Sequence, residues 1–100
     1  MATSKKQRLS EVELRKRIQE AGLRVTLPRI QILKTLVQNE GHHSIDAIHT
    51  DLKARDIILP RASVYNAMYK FIESGLVQSL TTMGRVLYEI ASEPHAHFMC

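Results

Sequence analysis

A winged helix-turn-helix, mainly α with one small β-hairpin, is the fold this sequence predicts, and three observations carry that expectation. Four segments between Ser10 and Gly75 repeat apolar residues at helical spacing, each opened by a capping residue or a proline. After Gly75 the apolar period becomes strand-like, on both sides of a turn containing Gly84. The length of 100 residues suits one small domain with a single modest core and leaves no room for a second.

The first helix is expected at Ser10-Glu11-Val12-Glu13, where the Ser-x-x-Glu spacing of a capping box satisfies orphan backbone donors. Leu14, Ile18 and Ala21 follow as one apolar stripe, and Gly22 supplies the stop. Thr26 caps a second helix that tolerates Pro28 in its first turn. Ile30, Leu33 and Val37, flanked by Ile32 and Leu36, give it a broad buried face ending at Gly41. Ser44 opens a third segment with Ile45, Ile48 and Leu52 on one face and His49, Asp51 and Lys53 toward solvent. Residues 55–59 form a connection, and Pro60 is expected as the first residue of a fourth helix, where its missing amide costs nothing. Val64, Met68, Phe71 and Ile72 are expected inward on that helix, with Ser63, Asn66, Ala67 and Lys70 outward, until Gly75 closes it. Leu76 to Leu80 and Val86 to Ile90 then read as a hairpin. Helices followed by a hairpin, with the last two of three packed helices forming a helix-turn-helix, describe the winged-helix class. The organisation expected is a basic N-terminal arm over 1–9, the winged-helix domain over 10–91, and a hinge with a ligand motif over 92–100.

Charge narrows the function. The net charge is +4, and residues 1–40 carry nine Lys and Arg against four Asp and Glu, while residues 42–100 carry five against six. An electropositive front built from Lys5, Lys6, Arg8, Arg15, Lys16, Arg17, Arg24 and Arg29 suits contact with phosphate, although a solvated basic helix face has the same composition. No apolar stretch is long enough to span a bilayer, and residues 1–10 lack the apolar centre of a secretory signal, so a cytoplasmic location is expected. The single cysteine cannot form an internal disulfide.

A helix with small and polar residues outward can enter the major groove of double-stranded DNA, where Asn reads adenine edges and hydroxyls meet bases or phosphates. The expected DNA-facing residues are Arg15, Arg24, Arg29, Arg61, Ser63, Tyr65, Asn66, Lys70 and Arg85. Tyr65 has the alternative of packing its ring against the hairpin, and Lys70 that of a solvated charge. Arg85, in the turn of the wing, reaches a phosphate or the minor groove or is an ordinary exposed turn residue.

The closing run His95-Ala96-His97-Phe98-Met99-Cys100 adds metal chemistry. Two His at i and i+2 project to one side of an extended segment and diverge on a helix, so strand or loop is the expected setting. Imidazole nitrogen with thiolate sulfur suits zinc, iron or a related first-row ion.

Several ordered stretches now resemble the ferric uptake regulator family: Gly22-Leu23-Arg24-Val25-Thr26-Leu27-Pro28-Arg29, Pro60-Arg61-Ala62-Ser63-Val64-Tyr65-Asn66, Gly75-Leu76-Val77 and the His-x-His-x-x-Cys close. The resemblance runs from Leu9 to Cys100. It implies a bacterial repressor that dimerises and binds an inverted-repeat operator when a divalent metal, Fe(II) or Mn(II), fills a regulatory site. By that resemblance His42, with His43 as a neighbour able to substitute, Glu89, His95 and His97 are metal ligands, and Cys100 is the first cysteine of a structural Zn(II) site. Asn66 resembles the peroxide-sensing branch, in which Fe(II)-catalysed oxidation of ligand histidines releases the repressor. The chain departs from the pattern at Pro60, where the family often has a capping Ser, and at Ser63, where Thr is usual. It also stops at Cys100, without the family's dimerisation domain, which reads as a fragment, monomeric by itself, with a naturally short homologue as the alternative.

Two other classes remain open at this stage. A winged helix used for protein docking, with a structural metal tail, fits the same elements but not the basic front. A small metalloenzyme built on His95, His97 and Glu89 has the minimal outfit for hydrolysis, yet no nucleophile with its base and no phosphate cradle accompanies it, so no enzyme activity is expected.

Overall fold

A computed structural model describes residues 10–39 and 41–91. The N-terminal arm, Glu40, and the segment carrying His95, His97 and Cys100 lie outside the described residues. Among the described residues, four helices precede a two-stranded antiparallel hairpin: α1 Glu11–Glu20, α2 Leu27–Gln38, α3 Ile45–Ala54, α4 Arg61–Ser74, β1 Val77–Thr82 and β2 Arg85–Ile90.

Three helices start where a hydroxyl can accept a free backbone N–H. Ser10 Oγ accepts from Glu13 N at 3.3 Å, Thr26 Oγ1 from Arg29 N at 3.3 Å and Ser44 Oγ from Ala47 N at 3.1 Å. Pro60 differs from expectation by one position: its ψ of 150° is extended, so it precedes α4 as the N-cap and offers no side-chain cap. Helix α2 ends at Gln38, earlier than Gly41 suggested, because Asn39 turns extended while its side-chain amide donates to the Thr35 carbonyl at 2.9 Å. Gly75, at φ 87°, ends α4 with the Leu76 N–H bonded back to the Phe71 carbonyl. Asp56 performs the same stop after α3 at φ 64°, with Ile57 N–H bonded to the Leu52 carbonyl.

Helix α2 is the central element, packing on α1, α3, α4 and β2. Its Ile30, Ile32, Leu33 and Leu36 meet Leu14 and Ile18 of α1, Ile48 and Leu52 of α3, and Val64, Met68 and Phe71 of α4 in one buried cluster closed by Val77 and Tyr88. Each such side chain contributes about 1.5–3 kcal/mol by leaving water. Thr35 is the one buried polar residue among those described, and a network satisfies it. Its hydroxyl lies 2.9 Å from Asp51 Oδ2 and accepts from Arg55, whose Nη1 also donates to Gln31 Oε1 at 2.8 Å. Asp51 and His49 therefore do not simply face solvent as expected: Asp51 ties α3 to α2, and the His49 Nε2 lies 2.8 Å from the Leu59 carbonyl, holding the connection that leads into α4.

The face of α4 is rotated from the one expected. Val64, Ala67, Met68 and Phe71 are buried, while Ile72 is 37% exposed. At about 100° per residue, Ala67 lies on the arc shared by Val64 and Phe71, and Ile72 sits about a quarter turn away. Ala67 therefore packs inward and Ile72 borders solvent, reversing both assignments.

The hairpin pairs Val77 with Ile90 through Thr82 with Arg85, leaving Met83 and Gly84 as a two-residue turn with φ of 50° and 75°. Positive φ at both positions matches the right-handed twist of the strands. An isolated bridge joins His43 to Tyr88, each N–H donating to the other's carbonyl at 2.8 Å. The chain after α2 is thereby stitched to the wing.

Candidate nucleic-acid interface and metal ligands

The outward arc of α4 presents Ala62, Tyr65, Asn66, Tyr69 and Lys70, all exposed. Tyr69, 62% exposed, belongs to this arc although sequence reading left it out. Its signal was its place three residues beyond Asn66, which the misassigned inward face obscured. Ser63 is half-buried on the flank of the same helix.

Helix α4 and the wing enclose a cleft of about 360 Å³ lined by Arg61, Tyr65, Arg85, Val86 and Tyr88, with Ser44, Ile45 and Asp46 of the α3 start. Tyr65 borders this cleft beside Val86 of the hairpin and remains 52% exposed. Arg61 and Arg85 bring two guanidinium groups to its rim, which suits a phosphodiester. Arg61 is held by an ion pair from its Nη1 to Asp46 Oδ1, and that carboxylate raises the guanidinium pKa above its already high ordinary value. The other expected cations are spread differently. Arg15 is exposed on α1 and Arg24 on the loop that follows, whereas Arg29 folds back so that its Nη1 donates to the Arg24 carbonyl at 2.8 Å.

Two of the expected metal ligands meet. His42 Nε2 lies 3.1 Å from Glu89 Oε1, and both side chains are partly exposed. The reason is register: the bridge pairs His43 with Tyr88, so in an antiparallel arrangement His42 stands opposite Glu89 on one face. The second oxygen, Glu89 Oε2, accepts from Gln78 Nε2 at 2.8 Å across the hairpin. His43 Nε2 lies 2.6 Å from the Asn39 carbonyl, while its backbone makes the bridge to Tyr88.

The donor chemistry fits a first-row divalent ion. Two donors on one such ion at about 2.1 Å and near-tetrahedral or right angles lie about 3.0–3.4 Å apart, which the His42–Glu89 separation matches. Among the described residues no group of three or more His, Cys, Asp or Glu side chains converges, so further ligands would come from outside them. His95, His97 and Cys100 all lie there. No helix among the described residues is long and apolar enough to cross a membrane.

Comparison with known proteins identifies the family. The model of the ferric uptake regulator family matches residues 20–100. The ferric uptake regulation protein of Legionella pneumophila is 33% identical over 92 residues, 89% of this chain and 68% of that protein. The peroxide operon regulator of Bacillus subtilis is 33% identical over 84 residues, 83% of this chain and 58% of that protein. Among solved structures, the Vibrio cholerae ferric uptake regulator superposes with a TM-score of 0.74 at 30% identity, over 78% of this chain and 61% of that one. The Pseudomonas aeruginosa regulator, solved with manganese, gives a TM-score of 0.73 at 32% identity, over 77% and 59% of the two chains. The present chain thus spans about three-fifths of the length of most of these relatives. With four helices and a hairpin in the same arrangement, and with a family match over most of its length, this chain belongs to the ferric uptake regulator family.

Proposed function

We propose that this chain is the DNA-reading part of a metal-responsive transcriptional repressor that acts in the cytoplasm as a homodimer on operator DNA. The observation that carries the reading is the approach of His42 Nε2 to Glu89 Oε1, because it joins the segment after α2 to the strand that builds the wing. In this reading α4 enters the major groove, Asn66 reads an adenine edge, and Ser63, Tyr65 and Lys70 contact bases or phosphate. Arg61 and Arg85 bind the phosphodiester at the rim of the cleft, and Arg15, Arg24 and Arg29 supply backbone contacts.

His42, Glu89, His95 and His97 would hold Fe(II) or Mn(II), and Cys100 would offer a thiolate toward structural Zn(II). A bound divalent ion supplies positive charge and fixed ligand directions at the junction of the domain and the hinge. Gln78 keeps one Glu89 oxygen occupied and the other turned to His42, so the pair is oriented before any ion arrives. The dimer geometry in which two recognition helices meet successive half-sites is then favoured over others, as a shift between populations. Control of metal uptake or of peroxide-stress genes both accord with relatives named for iron and for peroxide.

The test is fluorescence anisotropy of the full protein on labelled duplex from its own upstream region, with Mn(II) and then with chelator. Tight binding only with Mn(II), lost in His42→Ala and Glu89→Ala, is the expected result. Equal binding in both conditions would leave a DNA-binding winged helix that does not sense metal, and no binding in either would remove the reading.

A further inference from the structure

The tip of the wing places an unusual residue in a conformation that its turn requires. Met83 occupies the first position of the two-residue turn at φ 50°, a left-handed conformation that costs a side-chain-bearing residue more than it costs Gly, Asn or Asp. Turns of this type take Asn-Gly or Asp-Gly for that reason, and Asn in place of Met would relieve the cost without altering the register. Nor does packing explain the residue, since Met83 is 92% exposed, the most open large apolar side chain among those described. A strained backbone and an apolar side chain in water both disfavour this residue in the free molecule. Backbone outliers of this kind concentrate where a partner completes the structure.

The surroundings indicate which partner. Met83 stands two residues from Arg85, which borders the cleft shared with Arg61 and Tyr65 of α4. The wing tip is therefore continuous with the face proposed above to meet DNA. When α4 occupies a major groove, a hairpin projecting beside it meets the sugar-phosphate backbone and the adjacent minor groove. Apolar side chains, methionine and leucine among them, enter minor grooves and press against sugars or between base steps, and an adjacent guanidinium adds attraction to the negative potential there.

We propose that Met83 is a minor-groove contact of the wing tip, an apolar probe delivered by the left-handed turn, with Arg85 anchoring the neighbouring phosphate. This rests on the DNA-binding reading above. It assigns Met83 a role in discriminating A·T-rich from G·C-rich flanks, because the guanine amino group fills the minor-groove floor that the thioether would approach.

The experiment uses the full protein with Mn(II), the labelled upstream duplex, and the same duplex with inosine replacing guanine, which removes the minor-groove amino group and leaves the major-groove edge unchanged. Met83→Asn is expected to raise or preserve the melting temperature while weakening binding by about five- to tenfold, and Met83→Leu to retain affinity. Wild-type protein is expected to gain affinity on the inosine duplex, and Met83→Asn to be indifferent to it. Unchanged affinity in Met83→Asn, or an equal loss on both duplexes, would overturn the minor-groove assignment while leaving the repressor reading intact. A wild-type protein that binds neither duplex would overturn both.

Discussion

Asp46→Asn isolates what the ion pair at the head of α4 does. In the free protein Asp46 Oδ1 bonds Arg61 Nη1 across the gap between α3 and α4, with both side chains more than half exposed. Surface pairs of this kind contribute little to folding, and Asn keeps the size of the side chain at the start of α3, so the melting temperature is expected to stay where it was. The effect belongs to DNA binding. With Asp46 charged, Arg61 is largely neutralised at the rim of the cleft; with Asn there, one further cation is free to neutralise a phosphate. Each phosphate neutralised changes the slope of log affinity against log salt by about −0.9. Between 50 and 200 mM salt that slope corresponds to about a three- to fourfold difference in the variant's advantage over wild type, larger at low salt. Anisotropy titrations at four salt concentrations measure it, and Arg61→Ala in the Asp46→Asn background should bring the slope back to the parental value. Parallel salt plots for wild type and Asp46→Asn would refute the reasoning, since Arg61 would then not be the phosphate ligand that Asp46 restrains.

Gln78→Ala frees Glu89 Oε2 and should weaken Mn(II) binding by about tenfold in calorimetry, because carboxylates that ligate metals depend on the hydrogen bonds that orient them. Thr35→Val keeps shape but removes the oxygen shared by Arg55 and Asp51, and thermal melts should show a loss of about 1–2 kcal/mol. Burial, with a smaller effect of Tyr65, raises the Tyr88 phenol above its ordinary value of 10.0. The folded state therefore holds that proton more tightly than the unfolded state. The associated stability is full below pH 10 and disappears as pH rises through the folded value, so Tyr88→Phe should flatten alkaline denaturation followed by circular dichroism.

Much of this fold was legible in local residue patterns. Ser10, Thr26 and Ser44 cap helices because a hydroxyl at that position answers a donor three residues on, and Gly75 ends α4 because its φ of 87° suits a residue without Cβ. The hairpin around Gly84 was visible for a similar reason, since alternation and a turn residue lie within a dozen positions of each other. The expectation that His42 and Glu89 belong together came from resemblance to a family, and no interval in the chain encodes their meeting.

Where the sequence fell short, distant segments had to be brought into register. The inward arc of α4 depends on how the helix rolls against α2 and α3, and a period alone leaves Ala67 and Ile72 about equally eligible at its edges. The His42 to Glu89 approach follows from two backbone bonds between His43 and Tyr88, residues 45 positions apart. Arg61 meets Asp46, and Thr35 meets Arg55, only because α3 lies beside both partners' helices. Caps, stops and periods act through atoms a few residues apart and so are written in the order of the chain; the His42–Glu89 pair, the restrained arginine and the exposed Met83 tip arise from contacts, or their absence, that exist only after the helices have packed.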